Sequence, residues 1–134
     1  MQNNQDMVTM QTEDLLITAA SELVSAKGQE FLWGYYFCIE NTSNEKITLV
    51  GKDWNITDSN GNCFSDMTEG FKGEIPEIEP GEYFEFSSEA PLNSSSGVFY
   101  GSCSIRKAGN EKAQSIKLPI LQFNAEGSKS LIRN

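Results

Sequence analysis

From Phe31 to Glu40 a large apolar side chain occupies every second position. Phe31, Trp33, Tyr35, Phe37 and Ile39 fall on one face of an extended chain, and Leu32, Gly34, Tyr36, Cys38 and Glu40 fall on the other. Successive side chains of a β-strand point to opposite faces, so the pattern predicts a strand with one face in a core. A helix would scatter the same residues around its circumference. An apolar face this wide needs a second layer to cover it.

The rest of the chain repeats the theme between Gly, Asn, Ser and Pro turns, and no segment sustains a helical stripe. Ile47 and Leu49 resume the alternation, but Trp54 and Ile56 carry it on with opposite parity, which predicts a bend or bulge at Val50 and Gly51. Thr57 to Asn62 reads as a hairpin turn with Asn60-Gly61 supplying positive φ, and Cys63 to Met67 as its return strand. Pro80-Gly81 suits a type II turn. Beyond it Phe84 and Phe86 point inward, then Phe99, Gly101, Cys103 and Ile105 share a face. Ile116, Leu118 and Leu121 close the core in a last strand that Pro119 marks as an edge or bulged position. With a strand around Leu15 to Ala20, the prediction is an all-β, antiparallel sandwich of fibronectin III or immunoglobulin-like type with seven to eight strands. Residues 1–11 and 126–134 read as flexible tails, and 12–125 as one domain.

The 134 residues carry 10 Lys and Arg against 19 Asp and Glu, a formal charge of -9. Such a surface repels phosphate backbones and anionic lipid, so nucleic acid and membranes are not expected partners. The start of the chain lacks the basic and apolar segments of a signal peptide. Histidine is absent, which excludes Ser-His and Cys-His nucleophile systems and removes the commonest metal ligand. Cys38, Cys63 and Cys103 lack C-x-x-C spacing and are odd in number, which predicts three buried or partly buried thiols in a reducing cytoplasm. Cys38, Trp54 and Cys103 follow the order of an antibody domain, but strand parity sets the two cysteines on unlike faces and argues against a disulfide. No metal or cofactor is predicted.

Asp58, Asn60, Asn62 and Glu69 match positions of a calcium loop, yet Cys63 stands where glycine is needed and strands flank the segment, so a hairpin turn accounts for them better. Asn41-Thr42-Ser43, Asn55-Ile56-Thr57 and Asn93-Ser94-Ser95 match the glycosylation sequon without a secretory route to use it. The candidate working surface is Glu69, Gly70, Phe71, Lys72, Gly73 and Glu74, a glycine-punctuated loop between strands, with Lys52 and Asp53 beside it. An exposed aromatic among charges is a common interface anchor, which gives Phe71 that role. The competing placement has Phe71 folding back on the core.

From Phe31 onward the order of features resembles the ApaG family, also called CorD. It is carried by Phe31-Leu32-Trp33-Gly34-Tyr35, Asp53-Trp54-Asn55-Ile56-Thr57-Asp58-Ser59-Asn60-Gly61, and Glu69 to Pro76. Ile78 to Ser88, Gly97 to Ser102 and Leu118-Pro119 continue it. The resemblance implies a fibronectin III-like sandwich in a small bacterial cytoplasmic protein, of a family linked to cobalt and magnesium tolerance and without an established enzyme activity. Related domains in eukaryotic F-box proteins look like protein-recognition modules. The family's loop reads Gly-x-Gly-x-x-Gly, but Thr68 takes the first place here, and Lys52-Asp53 replaces the usual Arg-His. Pro76 and Pro80 forbid the helix that a dinucleotide site would need. The expected function is therefore a non-catalytic protein-interaction module acting through this loop. The alternative is a small-ligand protein or hydrolase for phosphate compounds, with a divalent cation held by Asp53, Asp58, Asp66 or Glu69. A homodimer contact along the edge near Pro119 is a further possibility.

Overall fold

The computed structural model describes residues 5–66, 71 and 74–125. Within them the chain forms ten strands: β1 (Gln5–Gln11), β2 (Leu15–Lys27), β3 (Glu30–Asn41), β4 (Ile47–Asp58), β5 (Cys63–Asp66), β6 (Glu77–Ile78), β7 (Tyr83–Leu92), β8 (Ser96–Lys107), β9 (Gln114–Lys117) and β10 (Leu121–Asn124). They build a sandwich of two antiparallel sheets. One runs β1-β2-β3-β7 and the other β10-β8-β4-β5, with β6 added to β4 and β9 to β8.

The alternation in β3 decides which face is inside. Trp33, Phe37 and Ile39 are almost fully buried, and Leu15, Ile17 and Ala19 of β2 join them from the same side. Ile47, Leu49, Trp54, Ile56, Phe99 and Ile105 cover them from the second sheet. The parity switch in β4 is a bulge: Leu49 pairs with Ile105 and Gly51 with Ser104, leaving Val50 as the extra residue. The hairpin after β4 turns at Gly61 with φ of 89°, and the Pro80-Gly81 turn at Gly81 with φ of 85°. The Glu82 amide closes the latter on the Glu79 carbonyl at 2.9 Å.

Three expectations are corrected. Residues 5–11 are a strand, not part of a tail: β1 pairs with β2 over seven positions, and Val8 and Met10 pack against the core. Backbone pairing, which polar residues share with apolar ones, holds this edge. The last strand is two strands, because Pro119 has no N–H to give the ladder. Leu118 bonds the Gly101 carbonyl at 2.9 Å, and pairing resumes only at Leu121 opposite Phe99. The short β6 and these additions raise the strand number above the seven or eight expected. The expected tail at 126–134 lies outside the described residues.

Candidate functional site

Of the residues that the sequence assigns to the working surface, Lys52 and Asp53 lie in the middle of β4 and Phe71 packs against Lys52. Strand alternation turns Lys52 and Trp54 inward and Asp53 outward. Lys52 is only 8% exposed, and its ammonium stands 5.5 Å from the ring centre of Trp54, 5.2 Å from Phe71 and 5.8 Å from Phe86. A cation over aromatic faces is held by their negative quadrupoles, more firmly where water is excluded. Phe71 supplies one wall. Its ring is 2% exposed and meets Trp54, Phe84 and Phe86 edge-on, with centroids 5.5 Å apart in each case.

Phe71 is therefore a core residue, and its expected role as an exposed anchor is corrected. The ring is driven inward because the pair of sheets leaves an aromatic slot beside Trp54 that no strand residue fills. The backbone shows how the chain there is fixed: the Phe71 amide donates to the Glu74 carbonyl at 2.6 Å, and the Glu74 amide to the Phe71 carbonyl at 3.0 Å. Asp53 and Glu74 are exposed, as a contact surface requires. Glu69, Gly70, Lys72 and Gly73 lie outside the described residues. Sequence reasoning passed over Phe64 and Ile75, apolar residues on either side of the loop that remain 45% and 54% exposed. Their signal was their place in short segments that cannot bury both faces.

The acidic residues proposed for a cation do not all converge. Asp53 and Asp58 lie on one strand, five residues and so about 16 Å apart, with Asp53 exposed and Asp58 buried. Asp58 is committed to its turn: one oxygen accepts from the amides of Asn60 and Asn62, both at 2.9 Å, and the other from the Asn62 side chain at 3.1 Å. Burial works to raise the Asp58 pKa, but the bonds from Asn62 and Asn60 outweigh it and hold the carboxyl below its ordinary value. A hairpin turn thus accounts for the calcium-loop residues Asp58, Asn60 and Asn62.

The cysteines are unpaired. Cys38 is half-buried and Cys103 buried, its thiol pushed up to about 12 by burial, but Cys63 is exposed, which corrects that expectation. The sequon asparagine Asn41 is fully buried, its amide donating to the Ile78 and Glu45 carbonyls at 2.8 and 2.7 Å. It is closed to modification in the folded chain. Pro119, beside the edge suggested for a dimer contact, is itself buried.

Comparison with known proteins gives this geometry its relatives. Residues 21–107 match the family model described as the ApaG domain. A protein named ApaG from Beijerinckia indica is 38% identical over 95 residues, 68% of this chain and 73% of the relative. The ApaG protein of Rhodopseudomonas palustris is 33% identical over 110 residues, 82% of this chain and 85% of its own length. Among solved structures, a Bordetella pertussis protein given the name ApaA superimposes with a TM-score of 0.75 at 18% identity, over 94% of this chain and 98% of that one. A structural-genomics target superimposes with a TM-score of 0.78 at 21% identity, over 88% and 92%. At those identities the structures attest the fold alone.

Proposed function

The chain belongs to the ApaG domain family, and from that footing we propose that it is a non-catalytic protein-interaction module whose contact surface is the loop clamped by Phe71 and Glu74. Ile75 follows Glu74 in sequence and is exposed, as is Asp53 on β4. The observation that carries this reading is the inverted role of Phe71. With its ring locked in the core and its backbone bonded twice to Glu74, Phe71 acts as support, while Glu74 stays exposed. The absence of histidine and the commitment of Asp58 to its hairpin favour recognition over catalysis. Three unpaired thiols favour a reducing cytoplasm as its place of work. The metal tolerance implied by the resemblance is then an indirect effect, exerted through whatever protein the loop holds.

Affinity capture from the source cells tests this. A chain carrying Asp53→Lys with Glu74→Lys melts no lower than the unaltered chain, since both positions are exposed, and loses partners that the unaltered chain retains. Partners held equally by both chains would move the contact surface elsewhere. Phe71→Ala separates support from contact: it costs about 3 to 5 kcal/mol of stability. A melting temperature that rises with millimolar Mg²⁺ or Co²⁺ would favour the cation-binding alternative instead.

A further inference from the structure

The inner face of β7 changes character along its length. Phe84 and Phe86 reach into the core, but the next two inward positions hold Ser88, opposite Tyr35, and Ala90, opposite Trp33. Across the sandwich, β5 has only four residues. Its Phe64 pairs with the inward Ile56 and shares that face, yet is 45% exposed because little lies over it. Small side chains on one edge strand and a short strand on the other leave a cleft between the sheets of about 190 Å³. Tyr35, Trp54, Phe64, Pro91 and Phe99 wall it.

Around the β7 edge this cleft meets an open groove of about 590 Å³ on the outer face, and Tyr35 and Glu89 belong to both. The groove lies over Gly34, where no side chain rises from β3. Glu22 and Glu89 stand directly opposite Gly34 on the neighbouring strands, so one row across the sheet carries two carboxylates. The lining residues of cleft and groove include no Lys or Arg.

We propose that cleft and acidic row together form a docking site for an extended segment of a partner protein. That segment seats one aromatic or branched aliphatic side chain between β5 and β7 and lays a Lys or Arg over Glu89 and Glu22. The volume is below the roughly 300 Å³ at which sites for small molecules begin, and suits a single side chain. The carboxylates, on a chain of formal charge -9, attract a basic flank and repel an acidic one. The inference deepens the interaction-module reading but uses a different surface. Peptide binding here can fail while the loop variants still lose their partner.

The two indole N–H signals of the folded chain provide the readout. Trp54 walls the cleft, whereas Trp33 stacks on Phe123 with centroids 5.1 Å apart and serves as internal reference. A blocked hexapeptide with Phe flanked by two Lys is titrated and followed by NMR, beside a version with Glu in place of Lys and beside free indole. The basic peptide shifts the Trp54 signal saturably and leaves that of Trp33 in place. Glu89→Lys weakens it about ten-fold or more, and Ala90→Leu, which fills the cleft, abolishes it. Should Ala90→Leu fail to fold, Phe64→Ser at its half-exposed position removes a wall and weakens binding instead. No saturable shift, an equal response to the acidic peptide, or indifference to Glu89→Lys overturns the proposal. So does free indole binding as tightly as the peptide, which would mark a small-molecule site.

Discussion

Gly101 is where a single missing side chain matters most. A Cβ there would lie 2.3 Å from the Asp53 carbonyl oxygen and 3.0 Å from the Trp54 Cα, both backbone atoms that cannot swing aside. Gly101→Ala therefore displaces β4 at the strand that carries Lys52 and Trp54, and a loss of about 3 kcal/mol is expected in urea unfolding. Gly109 has φ of +81° in open space, so Gly109→Asn, which tolerates that backbone, costs far less. Gly34 differs again, because Val24, the bulged residue of β2, leans to 3.3 Å of the Cβ it lacks. The Asp58 carboxyl makes a prediction in pH. Its folded pKa lies below the unfolded value, so its contribution is present above about pH 4 and is lost as pH falls through the lowered folded value. Asp58→Asn should flatten the acid limb of a stability-against-pH profile below about pH 4. An unchanged limb would deny the carboxylate that role.

At the scale of elements, Asn41 ties together pieces that the sheets alone do not. Its side chain donates to the carbonyls of Glu45 and Ile78 and accepts from Ser43, while its backbone amide bonds Glu82 and its carbonyl receives Gly81. The β3–β4 turn, β6 and the Pro80-Gly81 turn thereby meet at one buried residue. Asn41→Ala leaves the buried carbonyl of Ile78 and that of Glu45 without this donor, and a cost of about 2 to 3 kcal/mol follows. Amide exchange at Gly81 and Ser43 should quicken before that of β2 or β8. The alternating strands were legible because period two is a strong local signal in Phe31 to Glu40 and Val98 to Lys107. β1 was not, since its hold comes from a ladder with β2 and not from its own composition. The sequence left Phe71 between surface and core, because the slot it fills is made by Trp54, Phe84 and Phe86, from two other segments of the chain.

For the molecule as a whole, negative charge is in wide excess, and among the described residues the ion pairs Lys46 to Glu77 and Lys107 to Asp14, both at 3.3 Å, offset little of it. Self-repulsion at a formal charge of -9 favours expansion of the chain. Sodium chloride raised from about 10 mM to about 200 mM shortens the screening length from about 30 Å to below about 10 Å. The melting temperature should rise over that range, and a fall would mean that attractive pairs dominate.

Alternation and turn residues by themselves determined that this chain becomes a layered β protein, where β4 bulges and where its hairpins reverse, because each is set by neighbours in sequence. Tertiary structure alone decided that Lys52 and Phe71 lie inside together, that Phe64 faces inward yet stays open, and that small residues of β7 leave a cleft. Those outcomes depend on which side chains of distant strands arrive opposite one another, and that is a matter of packed volume which local periodicity does not encode.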